Sequence, residues 1–204
     1  MDINKIKNIF NNYIPKPIGV ENCFSVLISL VEKDETLHIL YELRSKNLER
    51  QPGEISFPGG KIERNETQKE AAIRECCEEL NLKPENIDLI GAADYLLTPF
   101  NYLIYSYVGF LKVDVNKIKP NEEVEKIFTI PLDYFLNHDP LKHDTYLTNE
   151  TDEGFPYELI PNGKNYNWRI GKYPVYFYVY EDYIIWGLTA RLTYEFIQKL
   201  KLTT

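Results

Sequence analysis

The sequence predicts an α/β fold in which β-strands flank a central helix. Two apolar, β-favouring runs, residues 23–31 and 36–43, are separated by the polar turn Glu32-Lys33-Asp34-Glu35 and predict a hairpin. A helix over about residues 68–80 is announced by Thr67-Gln68-Lys69-Glu70, a capping box in which the threonine hydroxyl and the glutamate side chain satisfy each other's backbone amides. Beyond it, residues 89–97 and 102–113 alternate as strands, broken by Thr98-Pro99-Phe100-Asn101.

The remaining elements follow the same rules. Ile3, Ile6, Phe10, Tyr13 and Ile14 recur at helical spacing until Pro15 and Pro17 end the run, so a short amphipathic helix is expected to open the chain and pack by its apolar face. Residues 54–57 read as a short strand running into Pro58-Gly59-Gly60, where extended structure is expected to stop. Residues 127–130 add a short strand before Pro131. Residues 132–171 show no sustained period and read as an irregular insertion placed to cover a pocket. A strand pair over 174–180 and 183–186 and a helix over 189–201, with Leu192, Phe196 and Leu200 on one face, close the chain. One domain over residues 1–204 is expected, with 1–18 as an N-terminal helix and linker.

With 44% hydrophobic and 14% aromatic residues the chain has ample material for a core. Its 23 basic and 31 acidic residues leave a net charge of −8, which disfavours a nucleic-acid partner, because phosphate backbones are bound by Lys and Arg. Three cysteines, two of them the neighbours Cys76 and Cys77, fit neither a disulfide framework nor a zinc pattern. No apolar run approaches the roughly 20 residues of a bilayer-spanning helix, and no membrane partner is expected. The cytoplasm is the expected compartment, and a homodimer is the assembly left open. None of His38, His138 and His143 has metal-ligand spacing to another histidine.

The chemistry is concentrated on the central helix. At about 100° per residue, Glu75, Glu78 and Glu79 share one face, while Ala72, Ile73, Cys76, Cys77 and Leu80 fill the other. A glutamate run alone reads as a solvated face. Three like charges at i, i+3 and i+4 nevertheless repel, and a hard divalent ion relieves that repulsion where Arg74 does so only in part. Gly60, Glu66, Arg74, Glu75, Glu78 and Glu79 stand in the spacing G-x5-E-x7-R-E-x-x-E-E, and with Leu82 the stretch resembles the Nudix box. Asn81 stands where that family has glycine, and asparagine is the next-best residue for a left-handed backbone.

The resemblance implies a Nudix fold, an α/β/α sandwich around a mixed sheet, and hydrolysis of a nucleoside diphosphate linked to another group. It implies Glu75, Glu78, Glu79 and the Gly60 carbonyl as ligands of Mg²⁺ or Mn²⁺, with Glu66 and Arg74 bracing the loop. The general base stays open among Glu75, Glu79, Glu122 and Glu123. The preceding segment, residues 44–60, resembles the coenzyme A signature of one subgroup: Arg44, Ser45, Gly53 and Phe57-Pro58-Gly59-Gly60 match, whereas Glu49 occupies the place of the second arginine and Arg50 lies one residue later. Leu97-Thr98-Pro99, residues 123–132 and Trp186-Gly187-Leu188-Thr189-Ala190-Arg191 look like later motifs of that subgroup. The implied substrate is coenzyme A or an acyl derivative, with Arg44, Ser45, Arg50 and Phe57 as candidate substrate contacts. ADP-ribose, dinucleoside polyphosphates or another nucleoside diphosphate derivative form the alternative, and a non-catalytic nucleotide-binding module the second.

Overall fold

The computed structural model describes residues 1–202. The chain opens with α1 (Ile3–Phe10), whose N-terminal amides are capped by the Asp2 carboxylate. Its apolar face does not pack as expected: no residue of α1 is buried, and Ile3, Ile6, Ile9 and Phe10 are all exposed. The hairpin follows as β1 (Asn22–Lys33) and β2 (Thr36–Arg44), antiparallel, with Asp34 and Glu35 at positive φ in the turn.

β3 (Ile55–Ser56) pairs with β2. The glycines after it do not end the extended chain: β4 (Gly59–Lys61) runs antiparallel to β1, with Gly60 opposite Ser25. Pattern reading misses this strand because a Pro-Gly-Gly sequence is the same whether it turns or lies against a neighbouring backbone. The backbone contact is what selects glycine here. A Cβ on Gly59 would lie 2.5 Å from the Ser25 carbonyl oxygen and 2.6 Å from Val26 Cα.

α2 (Gln68–Glu79) forms where expected, and both halves of its capping box are present. It ends through Asn81, which takes φ of 50° and donates from Nδ2 to the Lys119 carbonyl (2.8 Å). After it come β5 (Ile87–Ala92), β6 (Leu96–Leu97), β7 (Tyr102–Leu111) and β8 (Val124–Pro131), the last longer than the expected 127–130. Residues 132–171, expected to be irregular, hold α3 (Leu132–Asn137) and β9 (Leu141–Leu147) before their turns begin. α3 spans less than two full turns, and every residue of β9 is exposed, so neither writes a period into the sequence. β10 (Gly171–Tyr180), β11 (Tyr183–Trp186) and α4 (Gly187–Lys201) complete the chain.

The principal sheet runs β3-β2-β1-β7-β5, with β4 on β1, β6 on β7 and β8 on β2; β1 and β7 are parallel and the other pairs antiparallel, so the sheet is mixed. Its central strands are buried on both faces. Leu27 and Val31 of β1 and Leu40 of β2 meet Cys76 and Leu80 of α2, while Ile28, Leu30, Ile39 and Tyr41 meet Phe135 of α3 and Ala190, Phe196 and Ile197 of α4. Alternate residues facing two helical layers explain the near-continuous apolar runs of the hairpin. α4 is tied across the sheet by Tyr41 Oη, 2.9 Å from Thr193 Oγ1, and by Thr189 Oγ1, which donates to the Ile55 carbonyl (3.0 Å). A second sheet, β11-β10-β9, packs through Tyr176, Tyr178 and Ile185 into the same layer as α4.

The cap of α2 is the cheapest structural support of the functional helix to remove. Thr67→Ala is expected to lower unfolding free energy by about 1 kcal/mol, read as a shift in the urea midpoint at constant m-value; an unchanged midpoint contradicts the role of the cap.

Candidate functional site

The site forms where β4 passes between β1 and α2. Burial of Ala72, Cys76 and Leu80 fixes the rotation of α2, and that rotation turns Glu75 and Glu79 toward β4 and leaves Glu78 exposed. Glu79 is not on a solvated face, being 3% exposed. Its Oε2 accepts from the Gly59 amide at 2.8 Å. Glu75 lies so close to Gly60 that a Cβ there would overlap its carboxylate. The two glycines therefore lie against two box glutamates, Gly59 at Glu79 and Gly60 at Glu75.

Arg74 is the hub of the loop. Its Nε and Nη2 donate to the two oxygens of Glu66 (3.0 and 2.8 Å), and Nη2 also reaches the Lys61 carbonyl (3.2 Å). Its Nη1 donates to Glu75 Oε1 (2.9 Å) and Glu78 Oε2 (3.0 Å). The fork on Glu66, together with the Glu63 amide, holds that carboxyl below its usual range and pins residues 61–66 to the helix. Glu75 is shifted the other way, up, because burial outweighs its bond to Arg74.

Arg44, at the end of β2, arrives from the opposite side. Its Nη1 is 4.0 Å from Glu79 Oε1 and 3.9 Å from Glu42 Oε1. Glu42, two residues earlier on β2, is wholly buried and accepts from Ser56 Oγ at 2.8 Å. Burial raises both Glu42 and Glu79 well above the ordinary carboxylate range; Arg44 lowers both, and the Glu42 charge adds to the rise at Glu79. The available signal was parity: Leu40 and Glu42 share the inward face of β2 turned to α2, where only an apolar residue is expected.

The other candidates are distributed differently. Ser45 is buried, its Oγ accepting from the Asn47 amide (3.3 Å) and its own amide donating to the Glu123 carbonyl (2.8 Å). Gly53 turns the loop at φ of 71°. Glu123 is exposed, and its charge reaches Glu42 and Glu75; Glu122 beside it is also exposed. Arg50 is exposed and makes no ion pair among the described residues. Phe57 is corrected by the structure: at 2% exposure it stacks on Tyr41 with centroids 5.0 Å apart and is core, out of reach of a substrate. Tyr176 and Tyr178 are likewise buried. Cys76 is an inert core thiol, its pKa raised by burial.

Glu75, Glu78, Glu79 and the Gly60 carbonyl offer hard oxygen donors of the kind that suit Mg²⁺ or Mn²⁺. Guanidinium groups take the places between these carboxylates, and among the described residues no three His, Cys, Asp or Glu side chains are drawn together into a metal-binding group. The donor chemistry, the close Gly60–Glu75 approach and the excess of buried carboxylate fit a divalent cation.

A peroxisomal coenzyme A diphosphatase of Mus musculus is 36% identical over 117 residues, 57% of this chain and 50% of that protein, so the chain spans half its relative's length. A peroxisomal coenzyme A diphosphatase of Caenorhabditis elegans is 35% identical over 142 residues, 67% of this chain and 59% of the relative. An uncharacterized Nudix hydrolase, NudL, of Photorhabdus laumondii is 28% identical over 189 residues, covering 92% and 90% of the two chains. The NUDIX domain model matches residues 24–148, a stretch that contains the hairpin, the glycine strand and the whole of α2. The chain belongs to the Nudix family.

Proposed function

We propose that the protein is a metal-dependent pyrophosphohydrolase that cleaves coenzyme A or acyl-coenzyme A into 3′,5′-ADP and 4′-phosphopantetheine or its acyl form. The observation that carries this reading is the meeting of two segments: Arg44, from the stretch that resembles the coenzyme A signature, lies 4.0 Å from Glu79 of the box helix. A guanidinium at that spot would be within reach of a phosphate bound through a divalent cation on the box carboxylates, and could bind it through two parallel hydrogen bonds. On an acidic surface such local positive charge is what a polyphosphate needs. The two relatives named as coenzyme A diphosphatases support the substrate.

Each residue then has a task. Glu75, Glu78 and Glu79, with the Gly60 carbonyl, would hold Mg²⁺ or Mn²⁺, and Arg74 and Glu66 brace the loop that carries Gly60. When bound, the metal neutralises pyrophosphate charge and lowers the pKa of a water. Water adds across one P–O–P linkage, so that one phosphorus gains the new oxygen and the other departs as a phosphomonoester. Glu123, an exposed turn residue whose charge reaches Glu75, stands beside Glu75, Glu79 and Glu122 as a candidate for the base. A second reading, ADP-ribose, a dinucleoside polyphosphate or another nucleoside diphosphate derivative as substrate, is favoured by one feature: Glu49 at the place of the second arginine and Arg50 without an ion pair. A non-catalytic binding module would not require the full set of box carboxylates, and all are present.

With Mg²⁺ or Mn²⁺, purified protein is expected to release 3′,5′-ADP from coenzyme A, resolved by chromatography, and chelation is expected to abolish release. Glu78→Gln and Glu79→Gln are each expected to lower turnover by about 100-fold or more with an unchanged circular dichroism spectrum. A stronger preference for ADP-ribose or dinucleoside polyphosphates replaces the substrate and leaves the reaction class. No hydrolysis of any diphosphate favours the binding module.

Arg74→Ala removes the guanidinium that joins Glu66, Glu75, Glu78 and the Lys61 carbonyl. It is expected to cost about 1–3 kcal/mol in urea unfolding, with turnover lost. Unaltered stability contradicts the bracing role.

A further inference from the structure

Glu42 is a buried carboxylate of the site that lies outside both the box and the segment resembling the coenzyme A signature, and its environment is unbalanced. It is 0% exposed, its Oε1 is fixed by the Ser56 hydroxyl, and its Oε2 has no hydrogen-bond partner. The nearest cation, Arg44 Nη1, is 3.9 Å from Oε1, beyond hydrogen-bond reach, and Arg44 Nε is itself buried without a partner. An arginine and a carboxylate placed only to neutralise each other meet fork to fork at about 2.7–2.9 Å. Here one guanidinium nitrogen stands between two carboxylates, Glu42 and Glu79, and bonds to neither. Buried charges are kept where they are closely paired or where they coordinate a metal. The first condition is not met.

We propose that Glu42 is a further ligand of the cation site: held by Ser56, it presents its free Oε2 beside Glu79 to a divalent ion, and Arg44 is displaced from between the two carboxylates toward a substrate phosphate. The inference rests on the reading of the box carboxylates as a metal site and adds to it a ligand from β2. It also gives Arg44 two positions, one at the carboxylates and one at the phosphate, so that cation binding prepares the substrate contact.

The test is a titration of the full chain with Mn²⁺, without substrate, following free Mn²⁺ by electron paramagnetic resonance. Glu42→Gln, which keeps shape and the Ser56 contact, is expected to lower Mn²⁺ affinity at least about tenfold while the metal-free melting midpoint stays equal or rises. Glu42→Asp, which keeps the charge and withdraws the oxygens by one methylene, is expected to weaken binding as well. Arg44→Gln leaves Glu42 in place and removes its competing cation, so tighter Mn²⁺ binding is expected; this variant also serves should Glu42→Gln fail to fold. Wild-type affinity in either Glu42 variant, or no gain in Arg44→Gln, overturns the inference and leaves the box site intact. No Mn²⁺ binding by the wild type overturns both.

Discussion

The site depends on how closely a two-glycine strand can approach its neighbours. β4 lies against the backbone of β1 at Ser25 and Val26 on one side and against Glu75 of α2 on the other, at distances that leave no room for a Cβ. Because it fits there, the Gly59 amide meets Glu79 and the Gly60 backbone lies at Glu75. Any side chain on Gly59 would push against backbone, which cannot yield as a flexible side chain does, so the strand itself would have to move and would take the Glu79 contact with it. Arg74 secures the far end of the same segment through Glu66 and the Lys61 carbonyl.

Electrostatics follow from that packing. Glu42, Glu75 and Glu79 are withdrawn from water and repel one another, and burial is the largest cause of the upward shift in each. Two arginines offset part of this. Arg74 does so with short bonds and a guanidinium held firmly charged by Glu66; Arg44 does so with long ones. The contrast divides their roles. A guanidinium with four bonded partners is part of the scaffold, whereas one with no close carboxylate bond has little to lose on moving to a phosphate.

Much of this was legible in the sequence, for reasons that lie in particular residues. The capping box at Thr67 set the start of α2, and Asn81 adopts the left-handed backbone its position implied. Charge and parity did less well. The glycine strand escaped because glycines signal turns as well as close approach, and Phe57 was placed at the substrate because a motif gives neighbours in sequence and no direction for the side chain. α1 carries a clear helical period, and its apolar face finds no cover among the described residues. Glu42 carries no motif of its own, since no rule of spacing distinguishes an ion-pair partner from a buried ligand.

That last case shows where pattern reading stops. A strand buried on both faces has no solvated side on which to leave a charge, so an acidic residue at an inward position of β2 must be accounted for by what surrounds it. Ser56 satisfies one oxygen of Glu42. Neither Arg44 nor any other described residue makes a hydrogen bond to the second. Replacing a buried arginine and carboxylate together by apolar side chains of similar size is often neutral or stabilising, so a glutamate held at this point answers to something other than the stability of the sheet. Its neighbours, Glu79 across one guanidinium and Glu75 within electrostatic range, make the cation site the requirement nearest at hand.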